Sequence, residues 1–231
     1  MSKPLTLITA IAIASYALTG CQKNQTETQK AEPTPGPNAA VAAPPLEKVK
    51  SYEGPFGLAA KMSVDELKKI GFTEIESSPG LMAGKPPKPL NEPGDYIVVA
   101  TPKAGLCRIR ATFDVDNVNG SGDQIKTKVD RLAETMKLKY GKYSEKVVHI
   151  SQDVYRRNPE FWMMGLKEES IIYAYDWTTG KTEQPMPSGL ANIEIVANAL
   201  SMDKGYAAIS YTFDNRDECM DEVARLKAAN L

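Results

Sequence analysis

Histidine is all but missing from this sequence: His149 is the only one among 231 residues. No serine or cysteine near it forms a recognisable nucleophile motif. That argues against a histidine-based triad, and His149 reads as a surface or strand-end residue rather than as a base. Cysteine is scarce too, with three in the chain and no Cys-x-x-Cys step, which leaves no convincing ligand set for zinc. Asp114-Val115-Asp116, with Asn117 and Asn119, offers oxygens but lacks the closing glutamate of an EF-hand; helix capping at a solvated turn explains this cluster better than calcium does. Neither sign of charge is in excess, since 28 basic side chains face 29 acidic ones. A chain so nearly neutral lacks the basic face that phosphate binding requires, which excludes nucleic acid as a partner. The N-terminal apolar run, Leu5 to Leu18, is interrupted by Thr6, Thr9, Ser15 and Tyr16 and falls short of the roughly 20 residues that span a hydrocarbon core. These absences predict a protein with no metal and no cofactor.

That run has instead the parts of an export signal. Lys3 supplies the positive start, Leu5 to Leu18 the apolar centre, and Gly20 a small residue at the cleavage site. It ends in Leu18-Thr19-Gly20-Cys21, followed by the polar Gln22-Lys23-Asn24-Gln25. The small-small-Cys ending resembles the lipobox of bacterial lipoproteins. The resemblance implies cleavage before Cys21, a diacylglyceryl group on its sulfur and a further acyl chain such as palmitate on its amine. Two or more chains anchor stably where one does not. Gln22 rather than Asp after the cysteine implies the outer membrane of a Gram-negative cell, with the domain facing the periplasm. An ordinary signal peptide that leaves Cys21 unlipidated is the alternative.

Residues 1–20 are therefore read as a lipoprotein signal peptide, residues 21–50 as a lipid-anchored linker and residues 51–231 as the folded domain. The linker carries Pro33, Pro35, Pro37, Pro44 and Pro45 among Ala, Thr and Gln. Such a stretch buries too little apolar surface to offset its ordering entropy and serves as a spacer. The remaining cysteines, Cys107 and Cys219, fall inside the domain. In an oxidising periplasm such a pair is most simply a disulfide, with two buried free thiols as the alternative.

Within the domain, Ser63-Val64-Asp65-Glu66 reads as a capping box before a short helix that Gly71 stops. The prolines from Pro79 to Pro93 predict a long surface loop over residues 77–93. Asp95 to Thr101 and Gly105 to Asp114 read as two strands around a tight turn, the second alternating so that Leu106, Arg108 and Arg110 oppose Cys107, Ile109 and Ala111. Ser121 and Gln124 open the most regular helix, in which Ile125, Val129, Leu132, Met136 and Tyr140 recur at helical spacing before Gly141. Further strands are expected near residues 170–177, 192–200 and 205–213, and a last helix from about Arg216 places Cys219, Val223 and Leu226 on one side. Gly105-Leu-Cys-Arg-Ile-Arg-Ala-Thr-Phe-Asp114 aligns with Gly205-Tyr-Ala-Ala-Ile-Ser-Tyr-Thr-Phe-Asp214. Each copy follows an apolar strand and precedes a helix. Reuse of glycine at turns and of β-branched residues in strands explains the match as well as duplication does. The expected fold is α+β, an antiparallel sheet with helices packed on one face, arranged as two ββα units if the match is a duplication. The disulfide would then tie a strand of the first unit to the helix of the second.

Functional candidates are few. The helix from Ser121 carries Lys126, Lys128, Arg131, Lys137 and Lys139, but Asp123, Asp130 and Glu134 interrupt them, so a solvated outer face is expected. Residues 155–165 are the most unusual segment: Phe161, Trp162, Met163 and Met164 form a continuous apolar block beside Arg156 and Arg157. These residue types are enriched at interface centres, which makes the block a candidate partner site if exposed and a plug for the sheet if buried. Gly54-Pro-Phe-Gly57 followed by Met62 to Gly71, and the helix end Leu138-Lys-Tyr-Gly-Lys142, loosely resemble uncharacterised periplasmic lipoprotein domains. Those fragments carry no catalytic residue and imply a fold expectation alone. The expected function is a cell-envelope binding protein that engages a protein partner, in envelope assembly or in inhibition or exclusion of an incoming component. The alternative is a hydrolase acting on envelope material through paired carboxylates, such as Asp176 with an acid on a neighbouring strand.

Overall fold

The structure, a computed structural model, describes residues 54–76, 78–92 and 94–229. Residues 1–20, read above as a signal peptide, and residues 21–50, read as a linker that begins at Cys21, lie outside the described residues. After a 3-10 turn at Pro55–Gly57, the elements run α1 (Val64–Lys69), β1 (Thr73–Glu74), β2 (Leu81–Ala83), β3 (Tyr96–Thr101), β4 (Gly105–Asp116) and α2 (Asp123–Tyr140). They continue as β5 (Glu145–Ile150), α3 (Asp153–Arg157), a 3-10 turn at Pro159–Phe161, α4 (Trp162–Lys167), β6 (Ile171–Thr178), β7 (Leu190–Ala199), β8 (Lys204–Phe213) and α5 (Arg216–Ala228). The fold is α+β. Among the described residues, eight strands form one antiparallel sheet in the order β1-β2-β3-β4-β8-β7-β6-β5, and no helix is long and apolar enough to cross a membrane.

Alternation along the central strands sets the core. Ile109, Ala111 and Phe113 of β4 and Ala207, Ile209, Tyr211 and Phe213 of β8 are buried on one face. Helix α2 lies over that face, burying Ile125, Val129, Ala133, Met136 and Tyr140 at helical spacing. Leu132, expected in that stripe, is only partly buried. The helix does not open on a Ser121 cap. Its N-cap is Gly122, and Asn119 caps instead, its side-chain oxygen accepting from the Asp123 amide at 2.9 Å while Gln124 accepts from the Asn119 amide at 3.0 Å. Helix α1 begins with the expected capping box, Ser63 and Glu66 each accepting from the other's amide.

The two hairpin-then-helix units share the sheet, and their junction is symmetric. Arg110 stands opposite Ser210, its own counterpart in the aligned repeat. Ile109 stands opposite Tyr211 and Ala111 opposite Ile209, so exchanging the two copies carries one pair into the other. Helix α2 crosses onto β6, β7 and β8, and α5 packs against β3 and β4. There the Cys107–Cys219 disulfide joins β4 to α5 with a Cα separation of 6.3 Å, within a small cluster of Ala104 and Val99 separate from the main core.

Two sequence expectations need correction. Residues 77–93 are not loop throughout, because β2 forms between the prolines and pairs with β3 through Met82↔Val98. The simple alternation of β4 also fails near its start. A register shift in the β3–β4 ladder puts Leu106 opposite Ala100, so Leu106 joins Ile109 in the main core and not Arg108 and Arg110 on the wet face.

Candidate functional site

A groove of about 670 Å³ opens between α2 and the segments on either side of β2, a size that suits a small ligand or a few side chains of a partner. Its floor is Phe113, Ile209 and Tyr211 of the central strands. One wall is the outer edge of α2, with Leu132, Met136 and Lys139, which is why Leu132 is not fully buried. The facing wall is Phe56 with the loop through Lys88 and Leu90.

That second wall is built from the glycine-aromatic-glycine step. Phe56 has φ +59° and Gly57 φ +78°, two successive left-handed residues of which only the glycine is at ease. The Phe56 ring sits edge-on to Tyr96 at 5.2 Å and to Tyr211 at 5.3 Å, contacts that hold the strained backbone. The loop is fixed to the same corner: the Lys88 amide donates to the Phe56 carbonyl at 3.0 Å and the Leu90 amide to the Tyr96 hydroxyl at 2.6 Å. Burial pushes the Tyr96 phenol above its usual range, partly offset by the Leu90 amide. An ion pair of 3.2 Å between Glu92 and Lys128 links the loop to α2 across one end of the groove.

The apolar block at 161–164 is split by the fold between the two alternatives, partner surface and plug. Trp162 and Met163 are core residues, 5 % and 0 % exposed. The Trp162 ring lies edge-on to Tyr173 at 6.1 Å and beneath the Lys126 ammonium at 4.3 Å. Gly122 makes room for it: that residue has φ +71°, and a Cβ there would run into the indole. Phe161 and Met164 point outward, 41 % and 37 % exposed. Arg156 pairs with Asp153 at 2.7 Å and donates to the Ile150 carbonyl at 2.8 Å, while Arg157 is exposed. The structure thus leaves Arg156, Arg157, Phe161 and Met164 at the surface and withdraws Trp162 and Met163.

Sequence reasoning missed a titratable cluster between α2 and the β5–β6 edge. Asp130 Oδ1 accepts from the Tyr175 hydroxyl at 2.6 Å and the Tyr173 hydroxyl at 2.7 Å, and pairs with Lys146 at 3.4 Å. Lys146 also lies over both tyrosine rings at 4.9 and 4.7 Å. Burial would raise the Asp130 carboxyl, but the two phenols and the ammonium outweigh it and hold the group low. Burial and the Asp130 acceptor drive Tyr175 upward. Lys146 is raised despite burial, through the tyrosines and Asp130. Each group is fixed in its resting protonation state, the opposite of what a general acid or base needs. The signal for this cluster was present as Tyr173 and Tyr175 two apart on a strand, but Asp130 comes from a distant helix.

Two lysines of α2 are less solvated than expected, since Lys126 and Lys128 lie over the Trp162 and Phe113 rings. Burial lowers Lys126, with Asp123 opposing. His149 is exposed on the edge strand β5, opposite Ile172. Among the described residues, no group of three His, Cys, Asp or Glu side chains is placed to hold a metal ion. Asp176 does have an acid across from it, standing opposite Glu194 in the β6–β7 ladder. Both carboxylates are engaged, Asp176 by the Asn192 amide at 3.3 Å and Glu194 by Arg108 at 3.6 Å. No protein-family model, curated protein or solved structure matches this chain.

Proposed function

We propose that this protein is a lipid-anchored binding protein of the cell envelope. In this reading Cys21 holds it in the outer membrane, the linker spaces it from the bilayer, and the α2 groove takes an apolar segment of an envelope protein. The observation that carries the binding role is Phe56, a bulky residue kept at φ +59° where its ring walls an apolar groove. Left-handed backbone costs a non-glycine residue about 1–2 kcal/mol and is enriched at ligand-binding sites. Lys139 at the rim favours a partner segment with an acidic residue beside its apolar ones. The export half rests on Leu18-Thr19-Gly20-Cys21 and is supported by the Cys107–Cys219 bond, of a kind that persists in oxidising compartments. The Asp130 cluster, biased against proton transfer, favours binding over chemistry.

Two measurements test the two halves. A photo-reactive residue in place of Leu132, in the full chain in intact envelopes, should yield a protein adduct of discrete mass that Met136→Lys abolishes. Adducts indifferent to Met136→Lys would remove the groove from the reading. Radioactive palmitate should label the wild type and not Cys21→Ser; label persisting on that variant would refute the anchor. The hydrolase reading has one observation in its favour, the facing pair Asp176 and Glu194, and predicts turnover of envelope material that Glu194→Gln abolishes.

A further inference from the structure

Arg108 and Arg110 flank Ile109 on β4, and since Ile109 is buried in the main core, both arginines lie on the sheet face turned away from α2. They converge on one oxygen. Arg108 Nη2 donates to Ser210 Oγ at 3.3 Å and Arg110 Nε donates to it at 3.1 Å, while Ser210 itself is fully buried beneath them. Glu194 stands opposite Ser210 on β7 and reaches Arg108 at 3.6 Å. Among the described residues no carboxylate pairs with Arg110, and Arg108 Nε is buried with no hydrogen-bond partner. Arg216 brings a third guanidinium near and is held by Asp217 at 3.4 Å. Burial, then the charge of Arg110, disfavours the charged form of Arg108, and Glu194 opposes them only in part.

Two like charges are held side by side over a neutral hydroxyl, and the one carboxylate between them reaches Arg108 and not Arg110. Beside them, and not lined by Arg110 or Ser210, a depression of about 440 Å³ is bordered by Arg108 and Arg216 together with Glu194, Asp214 and Asp217. Guanidinium forks suit planar and tetrahedral oxyanions, and Ser210 and Glu194 already hold these two in place, which lowers the ordering cost of binding. A dianion would overshoot the local balance next to Glu194, and Asp214 and Asp217 on the same depression oppose it further. We propose that the sheet face opposite the α2 groove carries a second, independent site, in which Arg108 and Arg110 bind a monoanionic oxygen group, the carboxylate or phosphodiester of an envelope component, above Ser210.

The test is a titration of the full chain in detergent micelles, with isotope-labelled arginine side chains read by NMR. Sodium acetate and dimethyl phosphate are added in separate arms, against sodium chloride of equal ionic strength. The Nε–H signals of Arg108 and Arg110 should move saturably in at least one arm and not with chloride; the arm that saturates names the source of the anion. Arg110→Gln should weaken binding by about fivefold, the upper end for one solvent-facing charge pair. Glu194→Gln should tighten it by about threefold by removing the competing carboxylate. Shifts that rise linearly, that chloride reproduces, or that ignore Arg110→Gln would overturn the site. Should Arg110→Gln perturb the fold, failure of Glu194→Gln to tighten binding overturns it alone.

Discussion

Asp130 is the residue whose chemistry is most strongly set by its neighbours. Its folded pKa is held low by the hydroxyls of Tyr175 and Tyr173 and by Lys146, against the upward pull of burial. A carboxyl that is more acidic folded than unfolded adds stability only where the unfolded form is already ionised. That contribution is therefore complete above the unfolded value of about 4 and fades as pH falls through the lower folded value. Asp130→Asn should cost on the order of 1 kcal/mol near neutral pH, a figure discounted because the carboxylate is partly exposed. The gap between wild type and variant should close as the pH drops below about 4. Urea melts at stepped pH measure it directly. A gap that stays constant down to acid pH would mean that the phenols contribute shape and not charge. Lys146→Met separates the two further, since it removes the cation and leaves both tyrosine bonds.

Helix α4 shows what an element of only Trp162–Lys167 does when its side chains are large. Trp162 plugs the space between Gly122 and Tyr173, so Trp162→Ala should cost about 3–5 kcal/mol, the usual range for a buried aromatic removed from a core. The loss should appear as a lower melting temperature with little change in the groove, because Trp162 does not line it. Trp162→Phe should recover part of the loss, and equal loss in both variants would show that the indole edge and Lys126 matter more than volume. The sequence made some elements plain and hid others for physical reasons. Helix α2 was legible because Ile125, Val129, Met136 and Tyr140 repeat on one stripe, and α1 because its capping box is local. Strand β2 was hidden by the prolines around it, which end strands without forbidding a short one between them. Strand β5 was hidden because an edge strand with Glu145, Lys146 and His149 has no fully buried face to impose a pattern. The 161–164 block showed its composition but not its orientation, since consecutive residues on a turn of helix point in different directions. The groove was beyond reach because Phe56, Met136 and Tyr211 meet only after the sheet has formed; the one local hint was the glycine on each side of the Pro55-Phe56 pair.

At the scale of the whole molecule the disulfide is the tie between halves. It joins β4 of the first hairpin to α5, which follows the second, across 112 residues of sequence, and polar contacts add to the packing of α5 on that hairpin. Asn215 donates to the Ala104 and Leu106 carbonyls at 2.8 and 3.2 Å, and Glu222 accepts from the Lys103 and Ala104 amides at 3.2 Å each. Those bonds fix where α5 sits, while the covalent link restricts what the unfolded chain can do. A loop of this length gives about 4–5 kcal/mol by the chain-entropy relation, an upper figure because real unfolded chains keep some order. Cys107→Ala with Cys219→Ala should accordingly lower the denaturation midpoint and raise the slope of the transition, because an uncrosslinked unfolded state exposes more surface. Reduced wild type is the informative control: it lacks the cross-link but keeps both sulfurs in their small cluster with Ala104 and Val99. If reduced wild type and the double variant melt together, the effect belongs to the cross-link. If reduction changes little and the double variant melts early, packing of the sulfurs is what α5 depends on. Hydrogen exchange locates the change, since loss of the link should speed exchange in α5 first and leave the β4–β8 ladder protected to the global limit.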